Sequence, residues 1–270
     1  PKQMQFLDQP PDAAWAEAVA LLKDLDALDD RGQITAHGQD LVALPIHPRL
    51  AHMIHKGKEF GHAQLAADIA ALVSEHGLGG EATDLEDRLQ NFLSDRSPRA
   101  KEARSLSRRW AKEAGADVVQ SQGAETSVGQ LIAFAYPDRI AQAAGQKGRY
   151  RLANGRAANL PSSDRLAQEK YLVVTDITGQ AANGRIRAAA RIDIEEIEAG
   201  FADQIIEETR LEFDPTSRSV RARRVRALKQ VVLADAPAKV VDLDEAAKLL
   251  CLGVQELDIG VLPWSKSQIA

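Results

Sequence analysis

Apolar residues recur at helical spacing through the first half of the chain and at strand spacing through much of the second. Ala14, Ala18, Leu21, Leu22, Leu25 and Leu28 fall three or four apart, predicting a helix over Ala13–Leu28 with one buried face. Asp29 to Gly32 form a turn, and Gln33-Ile34-Thr35 is short and extended. Thr35 is placed to cap a brief helix that runs to Leu44, Pro45 ends it, and Pro48 opens the next at its first turn. Helix, turn, short extended piece and helix together predict a small winged-helix-like unit over 1–47. Pro48–Lys56, Gly61–Glu75, Asp84–Ser94 and Pro98–Ala114 read as four helices, giving a helical bundle over 48–125.

After Thr126 the period changes. Val128–Ala135 is a short amphipathic helix, and Asn154-Gly155 between Arg149–Ala153 and Arg156–Leu160 is a strong hairpin signal. Tyr171–Asp176 with Arg185–Ile192, and Thr209–Phe213 with Ser219–Leu228, predict two further hairpins. Ile194–Phe201 reads as a helix between them. Short strands in succession suggest a small barrel of the oligonucleotide-binding (OB) kind over 126–236. A last helix begins at Asp244–Cys251, and the chain stops soon after Trp264, so 237–270 reads as the start of an interrupted module. The opening at Pro1 without Met reads as an excised stretch of a longer protein or as a chain whose initiator Met was removed, the first being preferred. The fold class expected is α+β, multidomain.

Composition narrows the options. Of 270 residues, 44% are hydrophobic and 27% charged, an ordinary globular balance. Only 4% are aromatic, so the core must rest on Leu, Ile, Val and Ala. The single cysteine, Cys251, excludes an intrachain disulfide framework and a Cys-type zinc site. No apolar run approaches the roughly 18 residues of a membrane span, and no secretory pattern opens the chain. A cytoplasmic location without membrane contact is the expectation.

The net charge of −5 conceals a segregation. Residues 1–95 hold 7 Lys/Arg against 16 Asp/Glu, net −9; residues 96–156 hold 12 against 5, net +7; the remainder holds 15 against 18, net −3. The basic middle could track phosphates or could be a solvated face. Within it Lys147, Arg149, Arg151 and Arg156 surround Tyr150. Strand alternation puts both flanking arginines on one face and Tyr150 on the other, so Tyr150 either stacks a base or fills the barrel core. Arg104 and Arg108 lie on the basic helix, and Arg139 precedes the hairpins. A second run, Arg218, Arg221, Arg223, Arg224 and Arg226, reads as edge protection or a bulge.

Motifs for catalysis are missing from the sequence. There is no P-loop, dinucleotide fingerprint, H-E-x-x-H or G-x-S-x-G. Asp244-Glu245-Ala246 opens a helix instead of ending an apolar strand, so it is a helix start and not an Asp-Glu-Ala-His box. His47, His52, His55 and His62 crowd one region, with His52 and His55 an i, i+3 pair. No cysteine completes a metal set, and ordinary packing and surface histidines are the expectation; metal ligands and catalytic residues are expected to be none.

Several segments, in order, resemble the region beyond the motor of bacterial DEAH-type ATP-dependent helicases of the HrpB family. They are Phe6-Leu7-Asp8-Gln9-Pro10-Pro11; Leu25 through Gly38; Leu44-Pro45-Ile46-His47-Pro48-Arg49-Leu50-Ala51-His52-Met53; Ala135-Tyr136-Pro137-Asp138-Arg139-Ile140-Ala141; and Tyr150 through Arg156. The resemblance implies a winged helix against the motor, a helicase-associated (ratchet-type) bundle lining a strand channel, and an OB-like module at its mouth. It implies single-stranded RNA or DNA and the preceding RecA-like motor domains as partners, with ATP and Mg held by that motor and no cofactor in this stretch. Arg139, Lys147, Arg149, Tyr150, Arg151 and Arg156, with Arg104 and Arg108 from the bundle, are the expected nucleic-acid contacts. The alternative is a scaffold that recruits a protein partner.

Overall fold

A computed structural model describes residues 10–115, 126–179 and 184–257. They form two compact units, the first ending at Gly200 and the second beginning at Phe201. Phe6–Gln9, Trp264 and the expected boundary at 125 lie outside the described residues.

The first unit opens with helix α1 (Asp12–Asp24), a turn closed by a single antiparallel bridge between Leu28 and Ile34, and helix α2 (Ala36–Ala43). Thr35 caps α2 as expected, its Oγ1 accepting from the Gly38 amide at 2.9 Å. Four helices follow: α3 (Pro48–Glu59), α4 (Ala63–Ser74), α5 (Leu85–Ser94) and α6 (Pro98–Glu113). Asp84 and Ser97 cap α5 and α6. Helix α4 is the centre of the bundle. Ala63, Ala66, Ala67, Ala70 and Ala71 are buried, and their small size lets α3 and α6 approach it closely. The one carboxylate there, Asp68, accepts from Ser107 Oγ at 2.5 Å and from Gln64 at 3.1 Å. Burial pushes its pKa up, while those two bonds and the Arg108 and Arg104 charges oppose.

Of the crowded histidines His52 is buried, while His47 is exposed and caps α3, its Nδ1 accepting from the Arg49 amide at 3.2 Å. His37 Nε2 of α2 shares a hydrogen bond with His52 Nδ1 of α3 at 2.8 Å, the rings meeting edge to face. The His52 ring also bonds to the Leu25 backbone just after α1, so one imidazole ties three elements together. Among the described residues no His/Cys/Asp/Glu group is arranged to hold a metal.

Helix α7 (Val128–Ala135), with the bounds expected from sequence, leads into a closed barrel. Its strands are β1 (Ile140–Ala143), β2 (Arg149–Leu152), β3 (Ala157–Asn159), β4 (Tyr171–Thr178) and β5 (Gly184–Arg191). They close in the order β1-β2-β3-β5-β4, antiparallel except for β3 beside β5. Ala141, Tyr150, Leu152, Leu172, Val174 and Ile186 fill the interior. Ile140 and Val173 are also fully buried, paired with each other but outside that interior cluster, while α7 packs on β4 and β5. A Cβ on Gly129 would stand 1.8 Å from the Arg191 carbonyl, so the α7 backbone lies directly on β5. Helix α8 (Ile194–Gly200) ends the unit.

Three charged contacts join helices to barrel. Arg49 of α3 is buried and grips Asp138 with both terminal nitrogens, at 2.6 and 3.1 Å. It also donates to the Ala135 carbonyl at 2.9 Å and lies over the Tyr136 ring. Arg165 pairs with Asp84 and Asp87, and Arg156 with Glu17 of α1.

The second unit is a meander of β6 (Ile205–Asp214), β7 (Ser219–Leu228) and β8 (Val231–Ala238), with α9 (Leu243–Glu256) packed on it. Gly253 admits the Phe213 ring, which a Cβ would meet at 2.3 Å. This corrects the expectation of one β module over 126–236. The third hairpin cannot extend the barrel, because β1 already pairs with β4 and leaves no edge to join. It forms a separate sheet.

Two outcomes are expected. Arg49→Ala leaves Asp138 with only the longer contact to Arg139 at 3.9 Å and the Ala135 carbonyl without this donor, and should cost about 3 kcal/mol, read by urea unfolding. His52 is held neutral, its pKa lowered to about 3 by burial first and then by the His37 charge. The unfolded chain therefore takes up this proton near pH 6.5 and the folded chain does not. Its stabilising contribution is complete above about pH 6.5 and is lost progressively as the pH falls toward 3. His52→Gln should flatten the decline in unfolding free energy measured between pH 7 and 5.

Candidate nucleic-acid interface

Strand β2 alternates as its sequence predicts: Arg149 and Arg151 are exposed, Tyr150 and Leu152 buried. Tyr150 is 0% exposed, and its hydroxyl lies 2.7 Å from the Leu166 carbonyl and 2.8 Å from that of Glu169. Burial, with the Glu169 and Asp164 charges, pushes its pKa up to about 12. The ring is core and offers no face to a base, so Tyr150 drops out of the expected contact set.

Arg104 drops out as well. It is half-buried and turned back onto the end of α5, donating to the Phe92 carbonyl at 2.5 Å and the Asp95 carbonyl at 2.6 Å. A cation on the last carbonyls of a helix complements its dipole. Arg108, one turn further along α6, is exposed.

The remaining residues divide into two neighbouring groups. Arg139 donates to the Thr175 carbonyl at 2.6 Å and lies over Tyr136, while Arg156 leaves the Asn154-Gly155 turn and meets Glu17 at 3.1 Å. With Asn154, Ala157 and Ile177 they line a cavity of about 120 Å³. The second group is Lys147, Arg149 and Arg151, exposed and without an ion pair among the described residues.

The pairing of β3 with β5 adds two residues not anticipated from sequence. Arg149 pairs with Asn159 and Asn159 with Arg185, so the three share one row across β2, β3 and β5. Arg185 and Arg187 alternate with buried Gly184 and Ile186 and point outward. Neither has an ion partner among the described residues. Their alternation was visible in the sequence, but a parallel pairing across 25 residues has no local signal.

The arginines of β7 contrast with these. They were expected at an edge or bulge, but β7 is the central strand, and its register shift falls between Arg226 and Ala227. Acidic neighbours neutralise the run: Arg221 meets Asp214 at 2.6 Å, Arg223 meets Asp235 at 2.6 Å, and Arg224 meets Glu207 at 3.6 Å. Cross-strand charge pairing, and not edge protection, accounts for their composition.

No family model matches the chain. Over 98% of its length it is 29% identical to the ATP-dependent RNA helicase HrpB of Escherichia coli strain K12, of which it spans 32%. It is also similar to two solved E. coli structures. One, described as the DExH-box NTPase HrpB, matches with a TM-score of 0.74 and 30% identity over 98% of this chain. The other, the DEAH/RHA helicase HrpB, matches with a TM-score of 0.72 and 27% identity over 99%. The chain spans about a third of each relative. The likeness to the HrpB family carried by the sequence motifs thus extends over nearly the whole chain, and a C-terminal, non-motor stretch of an HrpB-like helicase fits the match. Among the described residues no helix is long and apolar enough to cross a membrane.

Tyr150→Phe removes one buried hydrogen bond and should cost about 1 kcal/mol of stability, read by chemical denaturation.

Proposed function

We propose that this chain is an accessory region of an ATP-dependent RNA helicase and contributes a single-stranded nucleic-acid contact to the motor. The five-stranded barrel, with its order β1-β2-β3-β5-β4 and its single parallel pair, supports an OB-type reading, in which the outer face of β2 and β3 takes a strand. The bridged turn between α1 and α2 supports a winged-helix-like unit beside the motor. ATP and Mg would be held by the RecA-like domains; this sequence has no P-loop to bind them. The bundle would form a channel wall, with Arg108 as a weaker contact.

The observation that carries the reading is electrostatic. Lys147, Arg149 and Arg151 stand exposed on one barrel face with no ion pair among the described residues, whereas Arg221, Arg223 and Arg224 of β7 are neutralised by acidic neighbours. Charges already paired have little to offer a phosphate; unpaired ones displace counterions when a strand binds. Arg139 and Arg156, beside their shared cavity, would extend the contact. A second reading rests on exposed apolar side chains in the first unit, Trp15, Ile34 and Val42, which suit a protein partner.

Fluorescence anisotropy with a labelled single-stranded RNA separates the two. Binding should weaken steeply from low to physiological salt, and Arg149→Glu with Arg151→Glu should lower affinity about tenfold or more. Absence of binding even at low salt would leave the protein-partner reading.

A further inference from the structure

We infer that the exposed face of β2, β3 and β5 holds the sugar-phosphate backbone of a nucleic-acid strand without contacting its bases, along a diagonal track that runs Arg151, Arg149, Arg185, Arg187. This rests on the function proposed above and specifies what that site reads.

The track follows from register. Arg149 and Arg185 are both partners of Asn159, so they stand level with each other, two strands apart. Strand β2 is antiparallel to β3, and β3 is parallel to β5, so β2 and β5 run in opposite directions. Arg151 therefore lies two residues to one side of the row, and Arg187 two residues to the other. The Cα steps are about 7 Å along β2, about 10 Å across β3 and about 7 Å along β5. The charges do not form a compact cluster. They are spread along a line, the distribution that suits a linear polyanion better than a single phosphate or a carboxylate side chain.

Two features set the chemistry. Strands β2, β3 and β5 contain no carboxylate, so nothing on the track competes for the guanidiniums. Tyr150 is their one aromatic residue, and it is sealed inside the barrel. The outward positions carry Arg, Asn and Ala, with no ring on which a base could stack. Recognition of single strands without sequence preference normally joins a basic groove to aromatic platforms. Here the groove is present and the platforms are absent from the track, leaving phosphate contact as the source of affinity.

The test uses the chain as it stands, with two labelled probes of equal length, an oligothymidylate and an abasic deoxyribose-phosphate strand, each of about 20 units. The two should bind within about threefold of each other, with log K falling against log salt at a slope of about −3, as four phosphate contacts require. Arg185→Glu with Arg187→Glu should weaken both probes equally, by about tenfold. The Gln pair should weaken them less, and circular dichroism should show both pairs folded, since the residues are exposed. An abasic strand binding more than about tenfold worse than oligothymidylate, or an Arg185/Arg187 variant that binds both normally, would overturn the inference while the proposed function stands. Failure to bind either probe would overturn this inference, and failure to bind the labelled single-stranded RNA as well would overturn the proposed function with it.

Discussion

The ion pair between Arg49 and Asp138 is the contact on which the first unit depends. The two residues are 89 positions apart, in the two sequence segments Leu44–Met53 and Ala135–Ala141. Arg49 is buried, so its charge is tolerable only because Asp138 and the Ala135 carbonyl satisfy its donors. Both oxygens of the carboxylate are engaged, which fixes angle as well as distance. The same contact seats Tyr136 between two guanidiniums, Arg49 at 4.9 Å and Arg139 at 5.2 Å. Tyr136 and Asp138 flank the proline from which β1 departs. The orientation of the barrel against the bundle is thus set at this junction, with the Arg165 and Arg156 pairs as outlying supports.

From that junction the charge distribution becomes intelligible. Arginines occur throughout the chain but are used in three ways. Arg49 and Arg104 are structural, bonded to backbone carbonyls at the ends of helices. Those of β7 are matched by acids on the adjoining strands. On the outer face of β2, β3 and β5 several others stand without an ion pair among the described residues, as do Arg108 and Arg109 on α6. Counting basic residues along the sequence cannot separate these uses, since the distinction lies in what each side chain meets after folding.

Much of the architecture was legible because it is local. The cap at Thr35, the proline at Pro48 and the turn at Asn154-Gly155 each act within a few residues, and helices and hairpins follow from them. The strands β1 and β8 were missed. Strand β1 is only four residues, Ile-Ala-Gln-Ala, and has no alternation to detect. Closure of the barrel through β1 and β4 is non-local, and without it the third hairpin looked like a continuation of the same sheet. For the candidate interface, alternation correctly set Arg149 and Arg151 apart from Tyr150. It could not choose between the two roles left open for Tyr150; the Leu166 and Glu169 carbonyls inside the barrel decide that. Arg104 was misread for a related reason: a helical face can be basic and still turn one of its cations inward to a neighbouring helix end.

The two sheets differ in how they meet other polypeptide chains. A closed barrel has every strand hydrogen-bonded on both sides, so it cannot accept an added strand. The three-stranded meander leaves β6 and β8 paired on one side only among the described residues, which exposes it to aggregation by edge-to-edge extension. Both flanks carry deterrents. Strand β8 includes Pro237, which lacks the amide a new neighbour would need, and Asp235 beside it. Strand β6 alternates charges through Glu207, Glu208, Arg210 and Glu212, whose desolvation would oppose docking. The composition that makes this sheet a poor ligand for phosphate also opposes the pairing of a further strand on either flank.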